Sequence, residues 1–342
     1  MRALGVIFLA LLQISLMVWG VLAIYFSYLP IPLRYGGAGL FAVSSVAVLL
    51  LVRPWLKGAV IFWVMFAVVL GRWLSMAPSN HRDWQPDCAV LPYATVNGDD
   101  ITIHNIRNFD YQTETDYTVQ YYDRSFALSG LRSFDLIMCD WGLQHIVHTM
   151  VSFGFDDGSY LCVSIETRKE KGEAYSTIKG FFRQYERFYV VADERDLIRL
   201  RTNFRQGETV YLYRLQNVSP AVLEQVFLDY VNYINRLVDT PEWYNALTGN
   251  CTTEIRGHTR PYPNRVKWDW RILANGYGDQ LMYEKNMVDT SLPFTELKQN
   301  SIINQTAMAA DRDPAFSKKI RQGLPGMNHG GTVRMKKETS DQ

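Results

Sequence analysis

The chain has 342 residues, 48% hydrophobic and 20% charged, with a formal net charge of +1. That balance, with no basic stripe interleaved with aromatics, speaks against a nucleic-acid partner. The averages hide two unlike parts: residues 1–77 carry five Lys/Arg and no Asp or Glu, and an ordinary mixture of charges begins only beyond Pro78.

The first part reads as a membrane domain. The run Ala3–Leu29 is uncharged and exceeds the roughly 20 apolar residues that cross a bilayer. It is too long for a cleaved leader, and two further runs follow it, at 36–52 and 58–77. Three spans with Arg2 inside put Arg34 outside and Arg53 with Lys57 inside, as the positive-inside tendency prefers. The compact basic turn "VRPWLK" supports that count. The rest of the chain then lies outside the cytoplasm, whereas two spans would leave it inside.

Residues 78–94 form a polar, Pro-bearing connector, short enough to keep the following domain near the bilayer. Strand-like runs come next, at 100–109, 116–126, 146–155, 160–168, 187–194 and 209–215. Helix-like runs come later. The stretch 219–240 opens with Ser219-Pro220, an N-cap and first-turn pair, and repeats apolar residues at helical spacing. A second helix is expected to begin near Asn250 and a third to run through 269–286. Strands first and helices after predict an α+β domain over 95–310, with a poorly ordered tail over 311–342.

The hairpin "HTMVSFGFDDGSYLCVSIETR" has two possible registers. A two-residue Asp-Gly turn sets His148 opposite Thr167. A three-residue Asp-Asp-Gly turn, with Gly158 left-handed, sets His148 opposite Glu166. Alternation favours the second. It gathers Thr149, Val151, Phe153, Phe155, Leu161, Val163 and Ile165 on one face, and His148, Met150, Ser152, Cys162, Ser164 and Glu166 on the other. A carboxylate beside an imidazole orients the ring and favours its charged form. The plainer alternative is a surface cross-strand ion pair.

In "LTGNCTTEI", Asn250 is a favoured N-cap and Cys251 the first helical residue. A helix N-terminus stabilises a thiolate, and a neighbouring histidine lowers the thiol further. The alternative is a buried, inert cysteine. Cys88, Cys139 and Cys162 have no spacing that dictates a disulfide. The sequons at Asn217, Asn250 and Asn304 are short enough to arise by chance. His145 and His148 lie three apart on a strand, hence on opposite faces, and no carboxylate completes a metal set. No metal or other cofactor is therefore expected.

A strand with histidine, a strand with carboxylate and then a helix-start cysteine reverse the papain order. This resembles the circularly permuted papain-like (NlpC/P60-type) arrangement. More narrowly, "ITIHNIRNFDY", "HTMVSFGF", "VSIETRKEKGEAYS", "VVADERDLIRLR" and "WYNALTGNCTTEI" resemble, over roughly residues 95–260, a bacterial family named for the lipoprotein N-acyltransferase Lnb. The resemblance implies a nucleophile at Cys251, a base at His148 and an orienting carboxylate at Glu166. Asn250 and Thr252 would cap the helix whose N–H groups hold an oxyanion. It further implies a phospholipid acyl donor, a lipoprotein acceptor, and a multi-pass protein of the bacterial inner membrane with its catalytic domain in the periplasm. Two other readings stay open: a peptidoglycan amidase or cysteine peptidase, and a non-catalytic membrane scaffold. His145 is the alternative base if the strand register slips.

Overall fold

The computed structural model describes residues 2–260 and 267–327. They divide into two units, residues 1–81 with 173–186 and 242–246, and residues 82–172, 187–241 and 247–342.

The first unit is built on α1 (Arg2–Tyr25), α2 (Ile31–Leu51) and α3 (Trp55–Leu74). Each is long and apolar enough to cross a membrane, where a helix satisfies its backbone groups within one segment. Pro30 and Pro54 stand just ahead of α2 and α3, where proline removes no helical hydrogen bond. Phe41, Phe62 and Phe66 form the buried centre, while Leu40, Val43, Leu51 and Val68 point outward.

The second unit is α+β. Among the described residues eight strands form one sheet. Its path runs β1 (Tyr93–Asn97), β2 (Asp100–Arg107), β9 (Glu186–Ala192), β8 (Tyr160–Arg168), β7 (Val147–Phe155), β6 (Leu131–Asp140) and β10 (Thr209–Arg214), with β5 (Tyr121–Ala127) also pairing β2. β3 (Asp110–Tyr111) and β4 (Tyr117–Thr118) make a separate ribbon. Most pairs are antiparallel, and β2 meets β9 in parallel.

The hairpin takes the register that alternation predicts. Gly154 opposes Tyr160 and Met150 opposes Ser164. Gly158 turns at φ +79°, a conformation a side chain would strain. Continued two residues, this register sets His148 opposite Glu166.

Both faces of the hairpin are covered. On one, Val151, Phe153, Val163 and Ile165 share a core with Phe227, Tyr230 and Ile234 of α5 (Pro220–Asp239). Ser219 caps α5 by accepting from the Val222 N–H, as the Ser-Pro pair predicts. On the other face, Met150 and Cys162 share a core with Leu197 and Ile198 of α4 (Glu194–Arg199). Ile303, Ala307, Phe316 and Ile320 complete that layer. The polar side chains here are buried because they are satisfied: Ser152 donates to Glu194 at 2.5 Å, and Arg321 bonds both Asp135 and Glu194.

Four segments depart from the sequence-based expectation. "LRSFDLIMCD" forms β6, between β7 and β10; it is buried along nearly its whole length and so has no alternation to read. The third helix is broken into single turns at Trp270–Ile272 and Asn275–Tyr277, then α7 (Gly278–Glu284). A Cβ on Gly276 would lie 2.1 Å from the Gln144 carbonyl oxygen, so only glycine allows that approach. After α8 (Phe294–Asn300) and α9 (Asn304–Ala309), the stretch beyond Asp311 is no loose tail as far as Met327. It forms α10 (Phe316–Lys319) and buries Phe316, Ile320, Arg321 and Leu324, while 328–342 lie outside the described residues. Part of the connector is also built in. Trp84 is buried beneath the Arg168 guanidinium at 4.3 Å, and Arg168 donates to the Cys88 and Ala89 carbonyls.

Candidate active site

α6 (Cys251–Thr259) begins where the Asn250 cap predicts. The Asn250 side chain accepts from the Thr253 N–H at 3.0 Å, and the Thr253 hydroxyl accepts from the Asn250 N–H at 2.9 Å. This reciprocal cap corrects one expectation, because Thr253, not Thr252, is the capping partner. Thr252 turns toward β7 instead. Its hydroxyl lies 3.0 Å from that of Thr149 and accepts from the Asn275 amide at 2.6 Å. Asn275 also accepts from the Val147 N–H at 2.9 Å and donates to the Val147 carbonyl at 2.7 Å. One buried amide thus fastens the start of α6 to the start of β7.

His148 is buried, and its Nε2 lies 2.7 Å from Ser164 Oγ and 3.2 Å from Glu166 Oε1. Ser164 donates to Glu166 at 2.6 Å, so it accepts from Nε2–H. With Nε2 engaged, Nδ1 is the ring nitrogen left for the thiol of Cys251. Glu166 in turn accepts from Arg201 at 2.9 Å. Arg201 is buried on a π-helical turn, Leu200–Phe204, directly after α4.

Burial alone would lower His148. The Glu166 charge, with hydrogen bonds to Cys251 and Glu166, outweighs it and pushes the imidazole up to about 9. Burial alone would likewise raise the Cys251 thiol. The hydrogen bond from His148 and its charge, helped by Thr149, bring the thiol down to about 7. Glu166 is held well below the usual carboxylate range: burial opposes this, and His148 and then Arg201 overcome it. The other cysteines behave in the opposite way. Burial pushes Cys88 up to about 11 and Cys139 up to about 12, and Cys162 well above the usual thiol range. All four are free thiols; Cys251 alone among them is lowered.

The two N–H groups at the start of α6, of Cys251 and Thr252, make no hydrogen bond among the described residues. They form a donor pair beside the sulfur, the arrangement that holds an oxyanion. His145, the alternative base, is exposed and its Nδ1 lies 2.7 Å from the Tyr277 hydroxyl. Among the described residues no group of three or more His, Cys, Asp or Glu is placed to hold a metal.

Sequence reading missed Ser164 as a relay, Arg201 and Asn275. A serine between His148 and Glu166 on one strand face was a visible signal. Arg201 and Asn275 had none, since they arrive from distant segments. The loops nearest the site also expose large apolar side chains: Trp141, Leu143 and Ile146 before β7, Leu247 before the cap, and Trp270 and Leu273 before Asn275. The first and last of these loops touch, Gly276 N–H donating to the His145 carbonyl at 3.1 Å.

These observations define an α+β protein with three candidate spans and a cysteine, histidine and glutamate gathered where a helix start meets a hairpin. Residues 117–276, a little under half of the chain, match the family described as the Lnb N-terminal periplasmic domain. The match includes His148, Glu166, Arg201, Cys251 and Asn275. It lies somewhat later in the chain than the 95–260 of the sequence resemblance. No curated protein and no solved structure matches the chain.

Proposed function

We propose that the protein is a cysteine-dependent acyltransferase of the bacterial inner membrane, acting on the periplasmic side. It moves a fatty acyl group from a phospholipid, through a thioester on Cys251, to the N-terminal amine of lipoproteins. In this reading the second unit is a circularly permuted papain-like (NlpC/P60-type) domain. The observation that carries the proposal is geometric: Cys251 opens α6 beside a buried imidazole that Ser164 and Glu166 hold at 2.7 and 3.2 Å, and this pairing lowers the thiol to about 7 and raises the imidazole to about 9. Between those values the pair rests as thiolate and imidazolium, ready for acyl chemistry.

The thiolate attacks the ester carbonyl carbon, a C–S bond forms, and the carbonyl electron pair moves onto oxygen. The Cys251 and Thr252 N–H groups receive that oxyanion. Collapse re-forms the carbonyl and breaks the C–O bond, and His148 gives its proton to the departing lysophospholipid oxygen. Neutral His148 then takes a proton from the acceptor amine as the amine attacks the thioester. The thiolate leaves, the imidazolium is restored and an amide remains. Glu166, fixed by Ser164 and Arg201, keeps the ring oriented and stabilises its charge throughout.

The alternative, a peptidoglycan amidase or cysteine peptidase, would use the same three residues. The exposed Trp, Leu and Ile side chains on the loops beside Cys251 favour an acyl chain over a polar wall peptide. A non-catalytic scaffold would have no use for one lowered thiol among four.

The test is an intact mass of the purified protein after incubation with phospholipid, against Cys251→Ala. A gain of one fatty acyl mass that hydroxylamine removes, absent in the variant, is the expected result. No adduct, with fast alkylation of Cys251, would favour the peptidase. No adduct with slow alkylation would favour the scaffold.

A further inference from the structure

Segment 173–186 belongs to the first unit, with the three apolar helices, although in sequence it joins β8 to β9. It packs on the last turns of α1 and α3 and on segment 242–246. The Phe182 ring lies 5.5 Å from Phe26 and 6.1 Å from Trp19. Arg183 stacks on the Trp73 indole at 4.1 Å and donates to the carbonyls of Trp73, Leu74 and Met76. Those carbonyls lie at and just beyond the end of α3, where Trp73 O also accepts from the Met76 N–H, and a cation suits that end of the helix dipole. Segment 242–246 joins the same layer: Trp243 donates its indole N–H to Met76 O at 3.2 Å and stacks on Tyr28.

The outward side of the segment is apolar. Successive i→i+3 and i→i+4 bonds, Gly180 to Ser176, Phe181 to Ile178 and Phe182 to Lys179, wind residues 176–182 into tight turns. Residues three apart in such turns share a face. Tyr175, Ile178 and Phe181 are so spaced, and they are 53%, 55% and 39% exposed.

We infer that segment 173–186 is a membrane contact additional to the three spans, with Tyr175, Ile178 and Phe181 seated in the lipid interface. Helices that cross the hydrocarbon place their ends, Tyr25 and Leu74, at the bilayer surface, the level at which aromatic side chains collect. Phe182 and Arg183 hold the segment to those ends, so its exposed face stands at the same depth. Lys179, paired with Glu173 at 3.3 Å, adds a cation of the kind that interfacial segments carry at headgroup level. The inference does not depend on the acyl-transfer reading.

The test uses the full chain with Cys251→Ala, reconstituted in phosphatidylethanolamine–phosphatidylglycerol vesicles. Single cysteines at Tyr175→Cys, Ile178→Cys and Phe181→Cys carry a nitroxide, and the buried Cys88, Cys139 and Cys162 stay unlabelled. Val119→Cys, an exposed site on the second unit, is the aqueous reference. Collisions with oxygen, which concentrates in lipid, should exceed those with a water-soluble nickel chelate at the three positions, and the order should reverse at 119. Nickel access equal to that at 119 would overturn the inference. Exclusion of both reagents would also overturn it, because a second copy or another protein would then cover the face.

Discussion

Replacing Glu166 by glutamine keeps the shape of the side chain and removes the charge that raises His148. Burial then acts on the imidazole with only the Cys251 contact opposing it and draws it down, so less of His148 is imidazolium at pH 7. Cys251 loses its cationic partner, and burial drives the thiol from about 7 to the ordinary range near ~8.5–9 or above. For a shift of two units the thiolate fraction at pH 7 falls roughly 50-fold. A more basic thiolate is intrinsically more nucleophilic, with a Brønsted slope of about 0.4–0.5, which returns a factor of roughly 8. Alkylation of Cys251 by iodoacetamide at pH 7 should therefore slow by about 6-fold, and by about 11-fold at pH 6. The pH midpoint should move up by about two units. The measurement is mass-resolved alkylation of the full-length protein from pH 5 to 10, alongside a melting curve, because the change also leaves the Arg201 guanidinium without its carboxylate. A folded variant whose midpoint stays near 7 would refute the argument that Glu166 acts through His148 to set the thiol.

The remaining predictions concern positioning, the base and the fold. Asn275→Ala deletes three hydrogen bonds between Val147, Thr252 and the amide; it should destabilise by about 2–3 kcal/mol and slow acylation of Cys251, read by denaturant unfolding and by the mass assay. If acylation keeps its wild-type rate, Asn275 does not position the helix start. His148→Ala should abolish the hydroxylamine-labile adduct while His145→Ala retains it; the reverse pattern would make His145 the base. Arg321→Met leaves the buried Asp135 and Glu194 carboxylates short of a partner, and should lower stability by about 3–5 kcal/mol in chemical unfolding. A loss below about 1 kcal/mol would mean those carboxylates take up protons at little cost.

Local chemistry along the chain was enough for the three apolar helices, the Ser219 and Asn250 caps and the hairpin register. Each is set by spacing within a few residues: uninterrupted apolar length, a cap and its partner three positions on, and period-two alternation closed by Gly158. The same spacing placed His148 opposite Glu166 and Cys251 at a helix start. It did not join the two, because a helix start at 251 and a strand beginning at 147 meet only in three dimensions. Asn275 makes that junction and Arg201 braces Glu166 from the π-helical turn, and neither sits in a local pattern. β6 was hidden for a related reason: a central strand covered on both faces loses the alternation that marks a half-exposed one. The lowered thiol is likewise a tertiary outcome. Burial raises Cys88, Cys139 and Cys162, and only at Cys251 does an imidazolium, held by a distant carboxylate, reverse the sign.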